Sequence, residues 1–451
     1  MIFAEQALLP DGWSSNVRLD AADGAITVIL PETTARPADT RVKTLLPALS
    51  NLHSHSFQRA MAGMTEHRAA GQDSFWTWRN LMYRFTHRLT PDQIEAIAAQ
   101  VFMEMQEAGF AAVGEFHYLH HQPDGTPYAD PAELSMRIYA AAMQTGIGLT
   151  HLPVLYSHGG AGEQPLSAGQ RRFGTTPDQY AHLLDAARAA ARALPADTRV
   201  GIAPHSLRAT SPGGLVQILP LAQGQPVHIH IAEQPKEVAD ITAWLGARPV
   251  DWLLDHADVG PSWCAIHATH MTASETDRLA RTKAVAGLCP ITEADLGDGP
   301  FNGPGWRSAH GAFGIGSDSN VRISVVEELR TLEYSQRQRD LARNVMTDQG
   351  SVGLALYLGS ASGGAQALGR QAGRIATGYL ADLVAIDHTH PALCALSREA
   401  LLDGLVFAAP DRVVTDVWSA GRHQVRAGRH IHRDRIIDGW RRAVTALIAA
   451  A

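Results

Sequence analysis

The stretch Pro47-Ala-Leu-Ser-Asn-Leu-His-Ser-His-Ser-Phe-Gln-Arg59 continues an apolar run from Leu45 and ends it in a histidine pair. Side chains in a strand alternate faces, so His53 and His55 project together from a strand end. Two imidazoles at that spacing can hold one divalent metal. With 22 histidines in the chain, such a pair also arises by chance. The rest of the sequence decides between the two.

Apolar, β-rich runs recur downstream and alternate with helical patterns. Eight are legible, at Thr44–Leu52, Ala111–Phe116, Gly148–Leu155, Arg199–Ala203, Val227–Ile229, Trp263–Ile266, Ala284–Leu288 and Gly311–Ile315. Helices are expected between them at Pro91–Ala108, Pro131–Thr145, Thr176–Ala193, Lys236–Leu245 and Ser274–Thr282, most opening on Ser, Thr, Asp or Pro. This predicts an α/β chain with a (β/α)8 TIM-like barrel. A doubly wound open sheet is the alternative. The barrel is preferred because polar residues gather just past the runs, where barrels carry their active sites.

Residues 1–46 hold short alternating stretches such as Ala25-Ile-Thr-Val-Ile-Leu30 between the turn signals Pro10-Asp-Gly12 and Asp23-Gly24. Gly373–Ile386 and Val413–Val425 repeat that texture. The expected organisation is a small β-sandwich domain built from residues 1–46 and 371–431, a barrel over 47–370, and a C-terminal helix over 432–451.

The strand ends carry the chemistry. They present His53 and His55, then His117 and Tyr118, then His205 with Arg208, then His230 with Glu233, then His267, then Asp318. A single histidine there is ordinary scaffolding, and an Asp after Gly-Ser is an ordinary turn or helix cap. Six strand ends on one face are not explained that way. His53, His55, His230 and Asp318 form a metal-binding set, and a water held by such a metal has its pKa lowered towards about 7. The three lysines are Lys43, Lys236 and Lys283. None lies between His55 and His230 to be carbamylated and bridge two metals, which favours one metal. His228 is expected to be structural, and His117 a neighbour outside the ligand set.

A net charge of −7 leaves no basic footprint for nucleic acid. No apolar run approaches the roughly 20 residues that span a bilayer. The start, Met-Ile-Phe-Ala-Glu, lacks the basic and apolar regions of a signal peptide. Cys264, Cys289 and Cys394 are odd in number and far apart, which suits a reducing cytoplasm; Cys264 and Cys289 are expected as buried, inert thiols.

His53-x-His55, His230-x-x-Glu233, His267 and Asp318 together resemble the single-metal deaminase branch of the amidohydrolase superfamily. The likeness covers nearly the whole chain. The segments Asn51–Gly63, Ser74–Tyr83, Gly114-Glu-Phe-His-Tyr118 and Ala203-Pro-His-Ser-Leu-Arg208 further resemble the formimidoylglutamate deiminases, enzymes of histidine degradation. That resemblance implies substrate contacts at Gln58, Arg79, Tyr118, His205 and Arg208, one divalent metal per subunit (zinc foremost), and a homodimer. It implies hydrolysis by metal-held hydroxide at a formimino carbon. His267 and Asp318 would handle the water's proton, and Glu233 the nitrogen's. The substrate is a small dianion, and the planar forks of Arg79 and Arg208 suit two carboxylates. The run Phe75-Trp-Thr-Trp78 could wall the pocket or simply pack its loop. Two other readings stand beside this one: a guanine, nucleoside-type or triazine aminohydrolase with the same metal chemistry, and a non-catalytic barrel scaffold, which would usually have lost its ligands.

Overall fold

The computed structural model describes residues 1–67 and 75–449, with the backbone alone for residues 75–77. Strands β1 (Ile2–Leu9), β2 (Gly12–Ala22) and β3 (Ala25–Leu30) form two antiparallel hairpins, and β4 (Thr40–Pro47) pairs in parallel with β1. The β2–β3 turn needs left-handed backbone at both central residues, Asp23 (φ 51°) and Gly24 (φ 83°). Asp and Gly are the residues that tolerate this.

The barrel follows. Its strands are β5 (Leu49–Ser54), β6 (Phe110–His117), β7 (Gly148–Leu155), β8 (Arg199–Val200), β9 (Ala203–Pro204), β10 (Val227–Ile231), β11 (Trp263–His267), β12 (Val285–Leu288) and β13 (Ala312–Ile315). All pair in parallel. Parallel bridges Ile202–Val227 and Ser206–His230 join the β8/β9 stave to β10, and Ser54–Asp318 joins the end of the last stave to the first. With β8 and β9 counted as one interrupted stave, eight staves close a ring. The open-sheet alternative is thereby excluded.

Leu52, Ala112, Cys264, Ile266, Val285 and Cys289 fill the barrel interior, together with Ala367 and Leu368 from the end of the helix Val352–Ala367. Both cysteines are fully buried, as expected. That helix lies directly on β13 because Gly363 has no side chain: a Cβ there would sit 1.9 Å from the Phe313 carbonyl oxygen.

Four expectations are corrected. The run Thr44–Leu52 is divided at Pro47-Ala48, so its first half belongs to β4 and only its second half opens the barrel. Strand four is split at Gly201-Ile202, where residue pairing with β7 lapses while Ile202 bridges Val227 on the other side. The sandwich expected from both chain ends is one continuous hydrogen-bonded mixed sheet, in the order β17-β16-β15-β14-β4-β1-β2-β3. Its late strands are β14 (Leu383–Ile386), β15 (Val414–Ser419), β16 (Arg422–Arg426) and β17 (Arg429–His430). Finally, the span 371–431 is not all β. It includes the helix Arg398–Phe407, whose buried Leu401, Leu402, Leu405 and Val406 follow helical period and pack towards the helices Val325–Asp340 and Val352–Ala367. The C-terminal helix is described over Arg433–Ala449.

Two glycine substitutions separate helix propensity from packing. Alanine in a helix interior is favoured over glycine by about 0.5–1 kcal/mol. At Gly439, in the C-terminal helix, a Cβ meets nothing within 4 Å. Gly439→Ala should raise the denaturation midpoint. Gly363→Ala should lower it, overpacking against β13 costing about 1–3 kcal/mol. Urea unfolding of both variants gives the signs; a stabilised Gly363→Ala would disprove the close approach.

Candidate active site

The ring closes on the histidine pair. Asp318 N–H donates to the His53 carbonyl at 3.0 Å, and His55 N–H donates to the Asp318 carbonyl at 2.9 Å. Behind this seam Asn51 donates to Ser317 Oγ (2.6 Å) and accepts from Ser317 N–H (3.1 Å). Ser317 Oγ donates to Asn320 Oδ1 (2.6 Å), and Asn320 donates to Ser54 Oγ (3.1 Å). Gly316 lets the last stave come this close, since a Cβ there would lie 2.8 Å from the His53 backbone. Asp318 (φ 43°) and His267 (φ 66°) both hold left-handed backbone, a strain that persists where surrounding structure over-determines it.

His53, His55, His230 and Asp318 thus converge, each buried, with one donor atom apiece within 4.8 Å of the others. His55 Nδ1 lies 2.9 Å from the Phe116 carbonyl, and His230 Nδ1 lies 3.0 Å from the His205 carbonyl. Carbonyls only accept, so those nitrogens carry the protons and the Nε2 lone pairs face inward. His230 Nε2 is 3.1 Å from His53 Nε2, and Asp318 Oδ1 is 3.4 Å and 3.3 Å from the Nε2 atoms of His53 and His55. Burial pushes His53 down to about 3 and lowers His55 and His230, which keeps the imidazoles neutral. Burial works against the Asp318 carboxylate, yet its contacts with His53, His55 and His267 hold it well below the usual range. Inward lone pairs and a carboxylate facing one another are what a divalent cation satisfies. The donor set fits a metal.

The other expected residues surround this cluster. His267 Nδ1 is 3.2 Å from Glu293 Oε1. Its Nε2 has no hydrogen-bond partner among the described residues, and stands 3.7 Å from Glu233 Oε1 and 3.9 Å from Asp318 Oδ2. Burial opposes charge on His267, but Glu233, Glu293 and Asp318 outweigh it and hold the imidazolium up to about 10. Gln58 donates to Tyr118 OH at 2.8 Å. His205 Nδ1 is 3.1 Å from Ser206 Oγ. Arg79 donates to the hydroxyls of Tyr83 and, at 2.9 Å, Tyr156. Arg208 donates to Glu233 Oε2 at 3.0 Å and stands 3.8 Å from Glu237 Oε1.

Every site residue expected from the sequence except His53 lines one cavity. A second cavity shares Arg79, Tyr156, His205 and Arg208 and is lined as well by Lys236 and Trp244. Trp78 lines the first cavity. Ser74 and the side chains of Phe75, Trp76 and Thr77 lie outside the described residues, so the proposed aromatic wall is represented by Trp78 alone. His117 points elsewhere, its ring 5.5 Å from His151 and 5.8 Å from His120. His228 Nε2 bonds the Ala367 carbonyl below the site (2.8 Å), a structural contact.

Sequence reasoning missed several neighbours. Tyr83 and Tyr156 anchor Arg79, and Glu237 shares Arg208. Cys289 is buried within 4.8 Å of His267 and Asp318 donor atoms. Asp298 is buried, and burial beside Glu233 pushes it up to about 9. Glu293 follows β12 in Cys289-Pro-Ile-Thr-Glu293; a proline opening a helix at a strand end was the available signal.

Residues 44–423 match the model of the amidohydrolase family, and residues 1–43 match that of the formimidoylglutamate deiminase HutF N-terminal domain. The chain is 52% identical over 438 residues, 96% of each sequence, to formimidoylglutamate deiminase of Pseudomonas aeruginosa. It is 27% identical to a 5-methylthioadenosine/S-adenosylhomocysteine deaminase of Shouchella clausii, over 84% of this chain and 80% of that protein. A solved amidohydrolase from Brucella melitensis superposes with a TM-score of 0.94 at 48% identity, covering 99% of both chains. An adenosine deaminase from Xanthomonas campestris solved with bound zinc shares the fold, with a TM-score of 0.82 at 22% identity over 99% and 98%.

The donor set and the neighbouring histidine cluster are separable by metal content. His230→Ala should lower bound divalent metal at least about tenfold, a range typical of losses around metal sites. His117→Ala should leave it unchanged. Elemental analysis after dialysis reads both; equal loss in the two would refute the ligand set.

Proposed function

The chain belongs to the amidohydrolase family, and from that we propose that it hydrolyses N-formimino-L-glutamate to N-formyl-L-glutamate and ammonia, in histidine degradation. The observation that carries the reading is the pair of guanidinium groups, Arg79 and Arg208, lining the same cavity as the inward-facing donors. A small dianion with one hydrolysable imino group matches that combination, because arginine bonds both oxygens of a carboxylate. A purine or triazine has less use for two cationic forks, and the aminohydrolase alternative is not favoured beside 52% identity to a formimidoylglutamate deiminase. A scaffold would have no use for the intact set.

His53, His55, His230 and Asp318 would hold the metal, with zinc suited to three imidazoles and a carboxylate. When bound, it supplies a Lewis acid that makes water nucleophilic near neutral pH. Asp318 Oδ2 accepts the attacking water's proton. His267 Nε2, facing Asp318 and Glu233, relays that proton and donates to the oxygen that gains charge as the carbon becomes tetrahedral. Glu233 delivers that proton to the imino nitrogen and then the proton of the new hydroxyl, so that as the carbonyl forms the carbon–nitrogen bond breaks and ammonia leaves with both water protons. Gln58, Tyr118 and His205 orient the substrate with directed hydrogen bonds. Arg208 acts on two groups at once. Its contact with Glu233 sets that carboxylate's position, and its guanidinium also meets a substrate carboxylate. Arg79, braced by two tyrosine hydroxyls, takes the other. One metal per chain, a homodimer and a cytoplasmic location belong to the same proposal; three free cysteines suit a reducing compartment.

Ammonia release from N-formimino-L-glutamate, beside guanine, adenosine and a chlorotriazine, tests the reading. Fast release from the glutamate compound alone is expected, and release from a nucleobase instead would overturn it. Asp318→Ala should abolish turnover. Arg79→Met should raise KM with little change in kcat. Hydrogen bonds to charged groups are worth about 1.5–3 kcal/mol, or about 10–150-fold in kcat/KM. Arg208→Met should lower kcat as well, because it also releases Glu233. An Arg79→Met enzyme with unchanged KM would remove that residue from the carboxylate contact.

A further inference from the structure

Among the described residues, His267 is the one site imidazole that meets a carboxylate on the side away from the metal-type cluster. Its Nδ1 faces Glu293 Oε1 at 3.2 Å, while its unpartnered Nε2 faces the cavity. Glu293 is itself held. The same Oε1 accepts the backbone N–H of Cys289 at 2.8 Å, and Glu293 N–H donates to the Cys289 carbonyl at 2.8 Å. Its carbonyl accepts from Asp298 N–H at 2.9 Å. The residue is 5% exposed and lies in the first turn of the helix Pro290–Leu296. Its position is therefore dictated by β12 and the helix that follows, independently of His267.

We propose that Glu293 is a positioning residue for the hydrolysis. It binds His267 Nδ1–H, fixes the imidazole in the tautomer with a bare Nε2 when neutral, and aims that nitrogen between Glu233 and Asp318. This deepens the assignment above and rests on it.

The geometry carries the point in three ways. A neutral imidazole has one proton and two positions for it. An acceptor fixed at Nδ1 settles the choice, as carbonyls do for His55 and His230. Left without that acceptor, His267 could carry its proton on Nε2 and present a donor where the relay needs an acceptor. Rotation is also restrained. His267 has left-handed backbone at the end of β11 (φ 66°), so Glu293 is the side-chain half of a two-sided restraint. Finally, Oε1 serves both His267 and the Cys289 N–H. Replacing the carboxylate by an amide therefore leaves the amide oxygen at that point, held there by the backbone donor, and changes charge without changing the acceptor.

The test is a double-mutant cycle on the metal-loaded full chain, with N-formimino-L-glutamate as substrate. Glu293→Ala should lower kcat about 10–100-fold, the usual cost of losing a group that orients a site histidine, with KM within about threefold and metal content unchanged. Glu293→Gln should recover most of that loss, to within about fivefold of the parent, because it keeps the acceptor. In a His267→Ala background, Glu293→Ala should cost less than about twofold, since residues acting as one unit are non-additive. A merely structural role in the helix Pro290–Leu296 would cost the same in both backgrounds, and that result overturns the proposal. So does an unchanged kcat in Glu293→Ala. Nitrogen-15 resonances of His267, read above the pH at which its imidazolium loses a proton, need no turnover: the remaining proton should sit on Nδ1 in the parent and in Glu293→Gln, and leave it, at least in part, in Glu293→Ala. If the parent releases no ammonia from this substrate, the functional assignment falls while the tautomer measurement still decides the role of Glu293.

Discussion

The site depends on how the barrel closes. The first and last staves meet through two reciprocal backbone hydrogen bonds, from Asp318 to the His53 carbonyl and from His55 to the Asp318 carbonyl. Those bonds are made by the residues that supply three of the four metal-type donors. Ring closure and ligand assembly are therefore one event: a register slip at this seam would turn side chains to the other face. The buried Asn51–Ser317–Asn320–Ser54 network and the absence of a side chain at Gly316 serve the same junction. A fully satisfied polar network of this kind specifies one arrangement where apolar packing would tolerate several.

Above the seam the cavity concentrates negative charge. Glu233, Glu237, Glu293, Asp298 and Asp318 are all buried around it; Arg208 faces Glu233 and Glu237, and His267 faces Glu233, Glu293 and Asp318. Unpaired buried carboxylates are costly, and the structure shows the response: burial raises Glu237, and Asp298 is pushed up to about 9. A divalent cation between the inward lone pairs would offset part of that charge. Among the described residues, Arg79 donates to the hydroxyls of Tyr83 and Tyr156.

Much of this was legible in the sequence, for identifiable reasons. Strand periodicity of two places His53 and His55 on one face whatever the rest of the fold does, and parallel staves place His230, His267 and Asp318 at one end of the barrel. Those residues needed only period and strand direction. Glu293 and Glu237 were less legible: Pro290 and Pro235 mark where their helices open, but how each helix folds back over the site is not encoded at short range, whereas Tyr156 directly follows β7 and was available as a strand-end residue. The helix Arg398–Phe407 was lost among turn-rich strands although its leucines keep helical spacing. The sandwich became one sheet because β4 pairs with both β1 and β14, a long-range choice that alternation in either strand leaves open.

The most direct measurement of the account as a whole is ammonia release from N-formimino-L-glutamate as a chelated, metal-free chain is reloaded stepwise with zinc, with bound metal counted in the same samples. The account predicts no turnover without metal, a rate that rises in proportion to bound zinc, and a plateau at one ion per chain. Turnover in the metal-free chain, or a rate that climbs only as a second ion binds, would contradict it.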